Sequence, residues 1–146
     1  AVKQVAPSRG GSDLMHNVVA TGDRLEIDAP RNNCPLNETA PHTLLFAGGN
    51  GITSIITMVG RFQKLGQSFQ LHYFSRSAGH TAFRERLALG AYADNVFFYK
   101  GYDIVQTQNA LHDALDHSTN GEHFYVCGPS PLWTPPKSAR ARTRSP

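Results

Sequence analysis

The decapeptide LLFAGGNGIT, residues 44–53, decides the fold. An apolar run stops at a Gly-Gly-x-Gly loop, and a helical pattern of apolar residues begins directly after it. This order predicts a buried strand, a tight turn and the N-terminus of a helix. Glycine permits positive φ and leaves room for a ligand, and the first amides of a helix favour an anion such as phosphate. The stretch therefore predicts a phosphate-binding loop at the end of a strand.

The alternation of strands and helices continues from residue 42 to the Cys-Gly-Pro at 127–129. Strands are predicted at residues 42–47, 69–74, 95–99 and 123–127, and helices at 53–65, 80–89 and 105–115. Continuous apolar strands between helices predict an α/β fold with a parallel sheet covered on both faces. Ligands of such sheets bind at the carboxyl ends of the strands, where the segments Gly48–Thr53, Ser75–Gly79 and Cys127–Pro129 are expected to converge.

Residues 1–41 follow a different pattern. Short strands are predicted at residues 2–5 and 24–28, and a short helix at 13–19 with Ser12 as its N-cap. Three prolines and an Asn-Asn pair in residues 29–41 predict an extended linker. The segment Gly10-Gly11-Ser12 combines flexible backbone, a hydroxyl and a helix start, so it is a second candidate anion site or a plain capped turn.

Composition limits the class of protein. A chain of 146 residues with 40% hydrophobic residues suits a globular domain, and charges and glycines interrupt every apolar run, so no membrane span is expected. Two distant cysteines, Cys34 and Cys127, predict a reduced, cytoplasmic setting and no metal site. The net charge of +3 depends on four basic residues among the last ten, and the rest of the chain is close to neutral. Binding to nucleic acid is therefore not expected.

The loop at residues 48–51 is not specific by itself. It lacks the Lys-Ser/Thr of an ATP-binding phosphate loop and the G-x-G-x-x-G spacing of the common dehydrogenase motif. Glycines also occur where a helix packs closely on a strand. Thr53 either caps the helix or donates to a phosphate or nicotinamide group.

Two further strand ends carry candidate ligand groups. Ser75-Arg76-Ser77 follows the second strand, where a dinucleotide fold meets the adenosine ribose. Its hydroxyls and guanidinium favour a ribose 2′-phosphate, or else Arg76 is a solvated side chain along the adenine plane. Cys127 either packs inertly or touches a ligand ring. No acid–base constellation is evident among the histidines, so no catalytic side chain is assigned.

Five segments, taken in order, resemble the ferredoxin–NADP⁺ reductase superfamily, and within it the reductase components of Rieske-type oxygenases such as phthalate dioxygenase reductase and vanillate O-demethylase reductase. The segments that carry the resemblance are RGGS…H at residues 9–16, APRNN…PL at 29–36, AGGNGIT at 47–53, YFSRS at 73–77 and YVCGP at 125–129. The resemblance covers residues 1–131.

The resemblance implies a flavin-dependent NAD(P)H oxidoreductase, in which a hydride passes from NAD(P)H to FMN or FAD and electrons then pass to an oxygenase component or a ferredoxin domain. It implies that Gly10, Gly11 and Ser12 bind the flavin phosphate and that Gly48, Gly49, Gly51, Ile52 and Thr53 bind the pyrophosphate of NAD(P)H. Ser75 and Arg76 would meet the adenosine ribose, and Cys127, Gly128 and Pro129 would lie beside the nicotinamide and flavin. Such chemistry needs positioned rings rather than an acid or base.

Several departures from the family pattern qualify these expectations. The Arg-x-Tyr-Ser motif of the family's flavin barrel is absent, Ser54 replaces a usual proline, and two cysteines cannot supply the ligands of a [2Fe–2S] domain. The resemblance thus predicts a chain truncated at both ends. Residues 1–41 would be the last part of a flavin-binding β-barrel with its linker, residues 42–131 the NAD(P)-binding domain, and residues 132–146 an aberrant, disordered basic tail. The alternative is a nucleotide-binding remnant without catalytic activity of its own.

Overall fold

The computed structural model describes residues 2–4, 6–129 and 132. The chain divides into two compact units, Ala1–Leu36 and Asn37–Pro146. The domain limits expected at residues 41 and 131, from the proline-rich linker and from the extent of the resemblance, stay predictions.

The second unit is built on four parallel strands in the order β3-β2-β1-β4. These strands are β1 (Thr43–Gly48), β2 (Phe69–Ser75), β3 (Val96–Lys100) and β4 (His123–Cys127). Every residue of β1 is buried, because this strand has a neighbour on each side and a covered surface on both faces. The predicted α/β fold with a parallel sheet is confirmed.

Helix α2 (Ile52–Leu65) follows β1 through the 3₁₀ turn Gly49–Gly51. The apolar face predicted from the sequence is the buried face, formed by Ile52, Ile55, Ile56, Val59 and Phe62. Gly66 ends the helix with φ +65°, a left-handed conformation that glycine adopts without steric cost. The amphipathic pattern and the terminal glycine therefore predicted this helix correctly.

Helix α4 (Ile104–Asp116) begins with a capping box that the sequence interpretation missed. The Gln106 amide donates to Asp103 Oδ1 at 2.8 Å, and the Asp103 amide donates to Gln106 Oε1 at 3.0 Å. The D-x-x-Q spacing was readable as a helix start. None of the helices in the described ranges is long and apolar enough to cross a membrane.

The face of the sheet that packs against α4 holds a core of Leu44, Phe46, Phe74, Leu111 and Leu132. Of the residues predicted as a basic tail, Leu132 is the one that the structure describes, and it is buried in this core. The prediction for residues 133–146 lies outside the described residues.

His72 lies on the same face, stacked between Phe46 and Phe97 on the neighbouring strands with ring centroids 5.0 and 5.1 Å away. Its Nδ1 is 2.9 Å from the Tyr99 hydroxyl, and its buried Nε2 has no partner among the described residues. Burial disfavours the charged ring and lowers the pKa of His72 to about 4. The imidazole is therefore neutral at physiological pH.

Helix α3 (Arg84–Leu89) is shorter than the helix predicted at residues 80–89. A 3₁₀ turn, Ala78–His80, comes first, and Phe83 adopts a left-handed φ of 58° immediately before the helix. The Ala82 amide donates to the Tyr73 hydroxyl at 3.1 Å. That tertiary bond replaces a helical one, which explains why periodicity alone placed the start too early.

The first unit contains one helix, α1 (Gly11–Asn17), and its described residues form no strand. The strand predicted at residues 24–28 is wrong, and residues 2–4 of the other predicted strand are not in a ladder either. Residues 24–28 are exposed, with Ile27 at 80%. An alternating pattern gives a half-buried strand only where a partner strand and a covering layer are present. The assignment of this unit to a flavin barrel stays a prediction.

Candidate functional site

Three loops meet at the carboxyl edge of the sheet. We call them the β1 loop (Gly48–Thr53), the β2 loop (Ser75–Thr81) and the β4 loop (Cys127–Pro129). Ala47 of β1 pairs with Cys127 of β4, and Gly48 pairs with Phe74 of β2. The parallel register therefore starts all three loops at the same height. The convergence predicted from the sequence is confirmed.

Two glycines of the β1 loop have no room for a side chain, because residues of the β4 loop and the side chain of Leu132 lie against them. A Cβ on Gly51 would collide with the Cys127 carbonyl, and a Cβ on Gly48 would lie 2.8 Å from Pro129 Cδ. Gly128 faces Gly48 in turn, since its own Cβ would lie 2.9 Å from the Gly48 amide nitrogen. Gly51 thus allows backbone to pack on backbone, whereas Gly48 and Gly128 also make room for the Leu132 side chain.

Gly49 differs from the other glycines of the β1 loop. It has φ +52°, and a Cβ built on it would have no neighbour within 4 Å. Gly49 and Asn50 are both exposed. The loop thus turns in a left-handed conformation with open space above its outer surface, which is what an approaching ligand requires.

The next two residues contribute to this turn in different ways. The side chain of Ile52 is fully buried, so only its backbone belongs to the edge. Its amide donates to the Gly49 and Asn50 carbonyls. The hydroxyl of the half-buried Thr53 donates to the Asn50 carbonyl at 2.9 Å. Gly51 occupies the N-cap position of α2, so the capping role considered for Thr53 is wrong, and its role toward a phosphate or nicotinamide group stays a prediction.

Side-chain hydroxyls fix the β2 loop internally. The hydroxyls of Ser75 and Thr81 are 2.7 Å apart, and the Thr81 hydroxyl donates to the Ser77 carbonyl at 2.9 Å. The Ser77 hydroxyl lies 2.8 Å from His80 Nδ1. The two serines flanking Arg76 are thus already hydrogen-bonded, whereas Arg76 itself is exposed. Of this tripeptide, the Arg76 guanidinium is the charged group presented to solvent.

Tyr73 is a site residue that sequence interpretation missed. Its side chain is fully buried at the end of β2, and its hydroxyl contacts both the β1 loop and the segment after the β2 loop. Burial raises the pKa of the Tyr73 phenol, and the Ala82 amide opposes that shift. An apolar strand pattern predicts burial of such a tyrosine, but it carries no signal for what the hydroxyl contacts.

The β4 loop presents a partly buried Cys127 and an exposed Pro129. Cys127 is a free thiol, and so is the exposed Cys34. The Pro129 carbonyl accepts a hydrogen bond from the Leu132 amide at 2.9 Å. No group of three or more metal-ligating side chains occurs within the described ranges.

The Gly10–Ser12 segment, in the first unit, forms a different kind of turn. The N-cap predicted at Ser12 is wrong: Gly10, with φ +109°, occupies that position. The Ser8 hydroxyl accepts from the Gly10 amide at 3.1 Å and lies 3.0 Å from the Ser12 hydroxyl. A serine upstream of the helix therefore supplies the oxygen that Ser12 was expected to supply. The sequence S-x-G-G-S does not show which of its two serines, Ser8 or Ser12, accepts hydrogen bonds at the helix start.

The fold and this edge define a class, the nucleotide-binding α/β domain, in which a glycine turn at the end of a buried parallel strand faces the ligand. Comparisons with known proteins narrow that class, although no protein-family model matches the chain.

The chain is 43% identical over 124 residues to vanillate O-demethylase oxidoreductase of a Pseudomonas species, a match that covers 84% of the chain and 38% of that protein. It is 39% identical over 136 residues to tetrachlorobenzoquinone reductase of Sphingobium chlorophenolicum, covering 92% of the chain and 42% of that protein. The chain thus spans less than half the length of these curated relatives.

The solved structure of phthalate dioxygenase reductase, described as modular for electron transfer from pyridine nucleotides to [2Fe–2S], superposes with a TM-score of 0.83 at 29% identity. The match covers 99% of this chain and 45% of that one. The chain belongs to the ferredoxin–NADP⁺ reductase-like family of oxygenase reductases. The family resemblance deduced from the five sequence segments is therefore confirmed.

Proposed function

We propose that this chain binds NAD(P)H along the carboxyl edge of its sheet, as the nicotinamide-nucleotide part of a flavin-dependent oxidoreductase that serves an oxygenase. The observation that carries the proposal is the open, left-handed turn at Gly49, held between the β2 and β4 loops. The relatives with matching sequence are reductases, which supports a redox role rather than a role in nucleoside triphosphate hydrolysis.

The residues of the edge fit a nicotinamide nucleotide. The exposed backbone of the β1 loop suits the pyrophosphate, because glycine turns present amides to anions. Arg76 suits the adenosine ribose or its 2′-phosphate, and residues 127–129 suit the nicotinamide end. Reduced nicotinamide supplies a hydride when it is bound. What the chain's own residues supply is position, since no step requires a side-chain acid or base.

The flavin is proposed from the family resemblance alone. The expected phosphate contact is Gly10–Ser12, but none of the described residues of the first unit is buried. A flavin ring system needs an apolar slot, and this unit by itself provides none among its described residues. We therefore derive no step through the flavin, and FMN or FAD binding stays a prediction.

The electron acceptor is proposed to be an oxygenase component or a ferredoxin domain. The whole chain has two cysteines, fewer than a [2Fe–2S] cluster takes as ligands. This sequence therefore does not supply the ligand set of a [2Fe–2S] cluster such as the one named for phthalate dioxygenase reductase. A cytoplasmic setting, expected from the cysteine content, stays a prediction.

The exposed first unit favours a second candidate function, which is binding of nicotinamide nucleotide without transfer of a hydride by this chain alone. The two candidates make the same prediction for NAD(P)H and opposite predictions for flavin. Their difference is measurable on the purified chain.

The test is a titration of the purified chain with NADH, NADPH and ATP, followed by FMN and FAD and by NAD(P)H-dependent reduction of a dye. We expect nicotinamide nucleotides to bind more tightly than ATP. Flavin binding together with dye reduction supports the oxidoreductase. A second outcome is that nicotinamide nucleotides bind but flavin does not bind at flavin concentrations of tens of micromolar, which lie well within the range of cofactor affinities. That outcome leaves only the nucleotide-binding function. Preference for ATP overturns both.

A further inference from the structure

One buried phenol connects the β1 loop with Ala82, the residue that directly follows the β2 loop. The Tyr73 hydroxyl lies 3.4 Å from the Gly49 carbonyl, to which it donates, and it accepts from the Ala82 amide at 3.1 Å. The first contact is long for a hydroxyl donor, and the second has ordinary length. A tyrosine is protonated at neutral pH, and burial raises the pKa of the Tyr73 phenol further, so the hydroxyl has a proton to donate to the Gly49 carbonyl.

The Gly49 contact fixes the direction of a peptide group in the β1 loop. A trans peptide is planar, so a carbonyl held toward Tyr73 directs the N–H of the next residue, Asn50, the opposite way. Gly49 and Asn50 are exposed, and the space outside Gly49 is open. The buried phenol and the Ile52 amide both donate to the Gly49 carbonyl, and together they fix the direction of the Asn50 N–H.

The Ala82 contact fixes the end of the β2 loop. Ala82 follows Thr81, whose hydroxyl is tied to Ser75 and Ser77, and it precedes Phe83 with its left-handed φ of 58°. A non-glycine residue at positive φ costs free energy and persists where its surroundings hold it. The Tyr73 hydroxyl is one of the groups that hold this segment.

We propose that Tyr73 is a positioning residue for the nucleotide, one that sets the β1 loop and the β2 loop at the separation that a ribose and its pyrophosphate need. The inference rests on the proposed function, because it assigns the two loops to one dinucleotide. Tyr73 itself touches no ligand. Its effect passes through the Gly49 peptide and the Ala82 amide.

The test compares Tyr73→Phe with Tyr99→Phe. Both changes remove one partly desolvated phenol from the same sheet, but the Tyr99 hydroxyl contacts His72 rather than a loop. Dissociation constants are measured for NADH, ADP and adenosine at a temperature where both variants are folded. ADP spans both loops, whereas adenosine lacks the pyrophosphate.

We expect Tyr73→Phe to weaken NADH and ADP about five- to tenfold, the range of one lost hydrogen bond, and to leave adenosine within about twofold. Tyr99→Phe should leave all three within about twofold. Equal weakening of adenosine, or equal effects of the two variants, indicates a merely structural role and overturns the proposal. If the wild-type chain binds NADH and Tyr73→Phe binds it with the same affinity, the proposal is overturned too. If the wild-type chain does not bind NADH, the proposed function itself is overturned.

Hydrogen exchange of the wild-type chain tests the same inference without a substitution. Ala82 lies outside every helix and strand, yet its amide should exchange slowly because Tyr73 accepts from it. NADH should slow the exchange further. Fast exchange at Ala82, or exchange unaffected by saturating NADH, contradicts a positioning role.

Discussion

The β1 loop and the Gly10–Ser12 turn contain similar sequence, Gly-Gly with a polar residue and a helix start, yet they form different structures. The β1 loop follows a strand with every residue buried and leads into a helix of 14 residues. The Gly10–Ser12 turn leads into a helix of seven residues, none of them buried. The structure that a glycine motif forms therefore depends on the strand that precedes it and on the backbone that packs against it.

Within the β1 loop the glycines divide again. Gly48 and Gly51 are required by contact with the β4 loop, whereas Gly49 is required by its own φ. In the Gly10–Ser12 turn, a Cβ built on either glycine would have no neighbour within 4 Å, and Gly10 is the one of the two with a positive φ. Packing thus explains Gly48 and Gly51, and conformational freedom explains Gly49 and Gly10. Four substitution experiments test this contrast, in order of decreasing expected effect.

The largest difference is expected between Gly51→Ala and Gly11→Ala. The new methyl at residue 51 collides with the Cys127 carbonyl, and backbone cannot move aside as a side chain can. We expect a loss of about 3 kcal/mol in the free energy of unfolding. The methyl at residue 11 meets nothing, so a change smaller than about 1 kcal/mol is expected there. Denaturant unfolding of the two variants measures both, and equal losses would contradict the packing argument.

Acid should weaken the unit that contains the β1 loop. The pKa of His72 is lowered from 6.5 to about 4 in the folded chain, so the unfolded chain binds the proton more tightly. Stability is therefore complete above pH 6.5 and falls as the pH approaches 4, by about 3 kcal/mol at roughly 1.4 kcal/mol per pH unit. His72→Phe keeps a ring between Phe46 and Phe97 and should remove most of this dependence. A variant that retains the wild-type pH profile would exclude His72 as its origin.

Arg76→Ala tests whether the edge distinguishes the two nicotinamide nucleotides. If the exposed guanidinium meets a 2′-phosphate, NADPH binding should weaken by about 1–3 kcal/mol while NADH binding changes little. Arg86→Ala, an equally exposed arginine in α3, is the matched control for lost charge. Calorimetric titration of each variant with NADH and with NADPH, compared with the wild-type chain, measures these changes in affinity. Equal losses for NADH and NADPH would remove the phosphate role of Arg76.

The smallest effects are expected from the positive-φ glycine of each of these two turns. Gly49→Ala and Gly10→Ala should each cost about 1–2 kcal/mol of stability, because an L-residue is strained in such a conformation. Only Gly49→Ala should also weaken NADH, several-fold, since its methyl projects into the open space beside Asn50. Fluorescence titration at matched folded fractions separates the two effects. If NADH binding is weakened in Gly10→Ala and not in Gly49→Ala, the nucleotide site lies in the first unit instead.

Much of the sheet unit was predictable because its signals are local. Apolar runs gave the four strands, spacing gave the buried face of α2, and Gly66 gave the end of that helix. The rest depended on partners that sequence order does not reveal. α3 starts late because Ala82 donates to Tyr73, and residues 24–28 form no strand because no ladder partner pairs with them in the described unit.

The sequence by itself determined the class of fold, the edge where the loops converge and the family. The signals for these features are the strand period, the helix period and the positions of glycines, and each depends on residues that are close together in the sequence. Only the tertiary structure decided what each residue of that edge does. Gly51 is fixed by the Cys127 carbonyl, and Ser75 by Thr81. Gly49 is held by Tyr73 across 24 positions of chain. Such contacts join backbone and hydroxyl groups from separate strand ends. The local sequence pattern does not predict them, because the two partners come together only when the chain folds.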